Sequence, residues 1–489
     1  MPLKVIVVGS GISSLSAASF LSKEGHDVTI IEKNKQIGGR ARKFSTKGFT
    51  FDMGPSWYWM PDVFEDFYNK FNHTTSDFYE LKRLDPSYRV YWKDFTYTDV
   101  PANMGELEAW FESNEKGSAL KLREFLKDAE VKYKVGMQDL VYKPSMSIFE
   151  FANKKVLKGL FSMNLFSSFG KFIRSYFSNE KIINLLEFPV LFLGAMPNET
   201  PALYSLMNYA DIKLGTWYPE GGMHKFIEAF EKIAIENKVK FITDEEVISF
   251  DKADRMVQSV VTTKGKYTAD IVISGADYQH TDKKLLNGDS NYTSKYWNKR
   301  VMSPSSLLFY VGVDKKLKDI QHHNLFFDTS LEQHGLEIYK DPKWPSAPLF
   351  YVCAPSVTDK SVAPEGSENL FFLIPIAPDL NDDEETRNKY FDILLQRFKE
   401  KTGNDITDNI VYKKSFCIED FKNDYNAFKG NAYGLANTLR QTAILKPSLK
   451  NKNLDNFYYT GQLTVPGPGV PPSIVSGEVV AKYVLKNHS

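Results

Sequence analysis

Glycines and an acid stand near the start of this chain in an order that suits a phosphate-bearing ligand. Gly9 and Gly11 bracket Ser10, Glu32 follows about 20 residues later, and Lys33 comes directly after it. Gly38-Gly39-Arg40 and Gly54-Pro55-Ser56 follow at once. A residue without Cβ lets the backbone come close to a pyrophosphate, whose charge then meets amide N–H groups and the positive end of a helix dipole. An acid placed like Glu32 accepts from the ribose hydroxyls of an adenosine half.

The elements that must hold these residues are legible beside them. Val5 to Val8 is a short apolar β-branched run, as a buried parallel strand requires. Ile12 to Lys23 has helical spacing, with Leu15, Ala18 and Leu21 on one face and Gly25 at its end. Val28 to Ile31 predicts a second strand, ending on Glu32. Strand, glycine turn, helix, strand and acid together read as a dinucleotide site. The third glycine of that pattern is Ser14 here, small enough to let helix and strand pack closely. A glycine turn alone is equally an ordinary tight turn; the strand order, Glu32 and the later glycines set this one apart.

At 489 residues the chain predicts two interleaved domains around more than one core. With 61 basic and 61 acidic residues, global charge argues against nucleic acid as a partner. Aromatics are 14% of the chain, apolar surface for a core or for an apolar ligand. Cys353 and Cys417 are far apart and in no metal spacing, and His322-His323 reads as loop or strand-edge polarity, so no metal is expected. The strand at Lys4 occupies the place of a signal-peptide core, and no apolar run approaches the ~18 to 20 residues of a membrane span. The expected location is cytoplasmic or peripheral on a membrane.

Further along, Trp57, Tyr58 and Trp59 either line a channel or build core. Phe149 to Phe177 places Leu157, Leu160, Phe161, Phe169, Phe172, Ile173 and Tyr176 at helical spacing beside several lysines. That composition predicts either a helix in a membrane interface or one packed on its own protein. Gly221-Gly222 precede a helix from His224 to Glu236, and strands are expected at Val239 to Ile242, Val247 to Phe250 and Ala269 to Ser274. Leu307 to Asp314, Asn324 to Asp328, Leu349 to Cys353 and Asn369 to Ile376 predict a second sheet, and Asp382 to Lys401 an amphipathic helix. Asn456 to Thr460 reads as a strand ending at Gly461-Gln462, followed by Gly467-Pro468-Gly469-Val470-Pro471-Pro472 and a helix from Ser473 to Leu485. Proline suits a helix's first turn, and glycines let a loop pass close to a ring.

These motifs resemble the bacterial phytoene desaturases, carotenoid desaturases of the flavin amine oxidase superfamily, over nearly the whole chain. The resemblance implies FAD. Gly38, Gly39 and Arg40 would lie along its diphosphate, Gly54, Pro55 and Ser56 near the flavin, backbone at Val247 at the adenine, Gly461 and Gln462 by the ribitol or pyrophosphate, and Gly469, Val470 and Pro471 at the ring. Many relatives carry an acid where this chain has Gln462. The implied fold is α/β: a Rossmann-like FAD-binding domain (1–75, 218–285 and 441–489) interleaved with a mixed-sheet substrate domain (76–217 and 286–440), with candidate membrane-docking helices near 149–196. The implied chemistry is hydride and proton removal from phytoene or a related acyclic C40 polyene, with oxygen or quinone as final acceptor. At about 0.8 kcal/mol per buried CH₂, such a hydrocarbon costs on the order of 30 kcal/mol to hold in water, so it implies a membrane surface as partner. A later, for example hydroxylated, carotenoid is an alternative substrate. An amine oxidase, or a prenyl-binding relative such as a Rab escort or GDP-dissociation inhibitor protein, are rivals; Glu32 and the flavin loops argue against the last. No side chain presents itself as the catalytic base.

Overall fold

The computed structural model describes residues 1–151, 167–191, 194–438 and 440–488. The opening unit forms as its periodicity dictates: β1 (Lys4–Val8), α1 (Ile12–Lys23) and β2 (Asp27–Ile31), with the two strands parallel. Leu15, Ala18 and Leu21 are fully buried under it. An antiparallel ribbon follows, β3 (Lys43–Thr46) and β4 (Phe49–Asp52), and then α2 (Pro61–Lys70), opened by a proline whose missing N–H costs nothing there.

Three strands, β5 (Leu81–Arg83), β6 (Tyr88–Trp92) and β7 (Tyr97–Val100), lead into a helical block of α3 (Met104–Asn114), α4 (Ser118–Val135), α5 (Phe169–Arg174) and α6 (Glu180–Leu191). Here the structure chooses between the two expectations for the later part of the stretch only. Residues 152–166, with Leu157, Leu160 and Phe161, lie outside the described residues. Phe149 is 82% exposed, but Phe169, Phe172 and Ile173 are buried. The reason is α4, whose Phe125 meets the rings of Phe172 and Tyr176, each at 5.6 Å. Phe172 also covers the buried ammonium of Lys132, 3.7 Å from the ring centroid, beside Asp128. A charge held by one carboxylate and one aromatic face would be stranded if that face turned to lipid.

The chain returns through β8 (Trp217–Pro219), α7 (Lys225–Glu236) and β9 (Lys240–Ile242), makes a meander of β10 (Val247–Ala253), β11 (Met256–Thr262) and β12 (Lys266–Thr268), and re-enters the first sheet at β13 (Ile271–Ser274). Then come β14 (Ser305–Val313), β15 (His323–Phe327), α8 (Leu331–Tyr339), β16 (Phe350–Cys353), β17 (Glu368–Ile376), α9 (Glu384–Thr402), β18 (Ile410–Phe416) and α10 (Ile418–Tyr425). The chain closes with β19 (Phe457–Tyr459) and α11 (Val470–Asn487).

Two sheets carry the architecture. The five-stranded one has the order β19-β13-β1-β2-β9 and is parallel throughout. The seven-stranded one, β18-β14-β17-β16-β15-β6-β7, is antiparallel except where β15 meets β6. The fold is therefore the expected α/β class, a Rossmann-like sheet interleaved with a mixed one. α11 packs directly on α1: a Cβ on Gly477 would fall 2.3 Å from the Ser13 carbonyl oxygen, and Ser16 Oγ donates to the Ile474 carbonyl at 2.8 Å. Chain start and chain end thus form one wall. No described helix is long and apolar enough to cross a membrane.

Candidate FAD and substrate cavity

A cavity of about 390 Å³ opens at the carboxyl ends of β1 and β2, where parallel sheets place ligands. Gly9, Gly11, Glu32, Lys33, Gly38, Gly39, Arg40, Gly54, Pro55, Ser56, Val247, Gly461, Gln462, Gly469, Val470 and Pro471 all line it. Ser14 does not. It lies behind the wall, fully buried, where a Cβ on Gly275 would fall 2.0 Å from its hydroxyl. Its place is the tight helix–strand packing expected of the third glycine position.

Close backbone approach explains the glycines. A Cβ on Gly39, at φ +55°, would sit 3.2 Å from Gly11 Cα, and one on Gly54 would sit 2.5 Å from the Arg40 carbonyl oxygen. The second glycine segment is thereby pressed onto the first. Glu32 is fixed by four donors: Ser10 N and Oγ at 2.8 and 2.7 Å on one oxygen, Asn34 N and Nδ2 at 2.8 and 2.9 Å on the other. A ribose hydroxyl reaching it would take the place of a hydroxyl already there, that of Ser10. Lys33 is drawn aside, donating to the Asn423 carbonyl at 2.8 Å.

Arg40 tests whether an anionic diphosphate fits. Its Nε is buried with no hydrogen-bond partner among the described residues, and burial lowers its pKa. Its other contacts are the Asn431 carbonyl at 3.3 Å and the face of Tyr425 at 5.1 Å. A buried guanidinium with a free donor on the cavity wall fits a phosphate oxygen. Asn431 also accepts from Gln462 Nε2 at 3.1 Å, so the residue that replaces the usual acid is tied to the arginine's neighbour. Asn431 and Tyr425 had no signal in the sequence, because each reaches the site from a segment remote in the chain; Asn34, two residues after Glu32, belongs to no pattern that marks it as a donor.

Asp52 joins this site to the returning chain. It accepts from Met223 N at 2.7 Å and His224 N at 2.9 Å, just before α7, where Gly222 at φ +106° leaves it room. Burial pushes its pKa up to about 6 despite those two donors. At the far end, Pro471 and Pro472 occupy the first turn of α11, so of its first three positions only Val470 carries an amide N–H. Under the Gly467 loop lies Lys446, buried, bonded to Asn437 Oδ1 at 3.0 Å and pushed down to about 7 by burial. A Cβ on Gly467 would fall 2.8 Å from its ammonium.

The three aromatics after Ser56 divide by alternation. Trp57 and Trp59 line the cavity, while Tyr58 turns into the core and shares its hydroxyl with Tyr79 at 2.8 Å. Away from the glycines the wall is apolar, with Met207, Leu308, Phe371 and Leu373. A second, smaller apolar pocket shares Tyr351, Leu373 and Tyr433 with this end.

The glycine cradle, the buried acid and a guanidinium with a spare Nε–H fit a flavin dinucleotide. Residues 12–485 match the family of flavin containing amine oxidoreductases, and the chain belongs to it. It is 40% identical to the carotenoid 3,4-desaturase of Haloarcula japonica over 99% of this chain and 98% of that one. It is 28% identical to the zeta-carotene-forming phytoene desaturase of Myxococcus xanthus, over 99% and 94% of the two chains. An oxidoreductase from Methanosarcina mazei shares the fold, with a TM-score of 0.65 at 17% identity over 98% and 100% of the chains. The protein is an FAD-dependent oxidoreductase of the carotenoid desaturase branch, as its motifs implied.

Proposed function

We propose that this protein desaturates an acyclic C40 polyene taken from a membrane, and that the cavity residues named above hold FAD and substrate. The observation that carries this is the cavity's division. One end offers Glu32, Arg40 and backbone amides, and the other offers Trp57, Trp59, Met207, Leu308, Phe371 and Leu373. A hydrocarbon gains about 25 cal/mol per Å² against such a wall and finds no polar partner to satisfy. Bound at the polar end, FAD supplies the acceptor for a hydride from an allylic CH₂. The protein's share is to hold the diphosphate at Arg40, to keep water from the apolar end, and to lay the polyene along the aromatic wall. Oxygen or a quinone then takes the electrons.

The 40% identity to a 3,4-desaturase, against 28% to a phytoene desaturase, favours a later carotenoid over phytoene itself. The test is to give the purified yellow protein liposomes loaded with phytoene or with lycopene under air and follow the absorption bands. A red shift with lycopene alone is expected. A shift with phytoene alone would reverse the assignment, and oxidation of polar amines with neither polyene consumed would overturn it.

A further inference from the structure

A cluster of three buried side chains lies just behind the cavity wall, and the hydride chemistry uses none of them. β15 and β16 are antiparallel in a register that sets His323 opposite Cys353, so their side chains share a face. His322 joins them from the residue before β15. Together the three offer ligand atoms that all lie within 4.8 Å of one another. All are enclosed, His322 at 4%, His323 at 0% and Cys353 at 4% exposure.

The hydrogen bonding of the two rings is half complete, and in the same way. His322 Nδ1 pairs with Thr358 Oγ1 at 2.8 Å, and His323 Nδ1 with Tyr351 Oη at 2.6 Å. Nε2 of each ring is buried and has no partner among the described residues. One orphaned imidazole nitrogen is uncommon; here two stand beside a thiol whose remaining polar neighbour is the Tyr351 hydroxyl. Anchoring of one ring nitrogen by a neighbour while the other faces a metal is how zinc-bound histidines are oriented. Two imidazoles and one sulfur suit a borderline-soft ion such as zinc, with a fourth position left for water.

We propose that His322 Nε2, His323 Nε2 and Cys353 Sγ bind one zinc ion. On binding, the thiol loses its proton to solvent and a Zn–S bond forms; no electron changes hands. The ion would clamp the ends of β15 and β16 beneath Trp57, whose indole stacks on the His323 ring at 4.1 Å and 8°. It would fix the aromatic wall of the cavity without touching hydride transfer.

The holoenzyme, prepared without a histidine tag, is incubated with zinc chloride, passed over a chelating resin and assayed for zinc against flavin. About one zinc per flavin is expected, with X-ray absorption showing one sulfur at ~2.3 Å and nitrogens at ~2.0 to 2.1 Å. Cys353→Ser should lower retained zinc at least ~10-fold, while Cys417→Ser, at the other buried thiol, should not. Wild-type protein with full flavin that retains no zinc would overturn the proposal. So would a shell without sulfur, a reading that stands even if Cys353→Ser fails to fold.

Discussion

At the scale of single residues, Glu32 and Lys446 make the sharpest statements. Glu32 is an acceptor four times over, so Glu32→Gln turns an amide NH₂ against at least one of the donors Ser10 and Asn34. Loss of charge-assisted hydrogen bonds of about 1.5 to 3 kcal/mol should weaken FAD binding roughly 10- to 150-fold, read by flavin fluorescence on titration of apoprotein. Lys446 bears on pH. Its folded pKa of about 7 lies below the unfolded value of ~10.4, so between these limits the unfolded chain binds the extra proton. Stability against this term therefore rises as pH goes from about 7 to ~10.4, and the penalty is full below 7. Lys446→Met should flatten that rise and raise the melting temperature at pH 7, as thermal scans across the window would show.

At the scale of elements, two contacts decide what the sequence pattern left open. α11 lies on α1 without room for a side chain at Gly477, so Gly477→Leu should cost about 1 to 3 kcal/mol or more and loosen both walls of the flavin site. A lower melting temperature with weaker flavin retention checks it. α5 is the second case. Its apolar residues have the spacing of an interface helix, and the same spacing serves a helix packed on α4. Periodicity reports that one face is apolar and is silent on what covers it. Phe172→Ala should therefore act on stability, by about 3 to 5 kcal/mol in a denaturant titration, and leave liposome binding of the folded protein unchanged. Elements with weak patterns were illegible: β18 is a half-exposed edge strand whose polar Lys413 and Lys414 hide its period.

At the scale of the molecule, the proposed function needs a surface that meets lipid, and the described surface near the helical block offers Phe149, 82% exposed, as an apolar side chain for it. Phe149→Asp should reduce sedimentation with liposomes while flavin content stays constant; unchanged binding would move the docking surface elsewhere. The two sheets share one cavity: Gly9, Glu32 and Gly275 at the ends of β1, β2 and β13 line it together with Leu308 of β14 and Phe371 and Leu373 of β17.

The sequence by itself determined the nucleotide half of this protein. Gly9, Gly11, Glu32 and Gly38 to Arg40 are local signals, since strand, turn and helix propensities act over a few residues and the dinucleotide unit is contiguous. Only the tertiary structure decided the rest. Asn431 beside Arg40, Lys446 beneath the Gly467 loop, and Cys353 opposite His323 are meetings of residues far apart in sequence. Such meetings are set by strand register and helix packing, and no short stretch of chain encodes those alone.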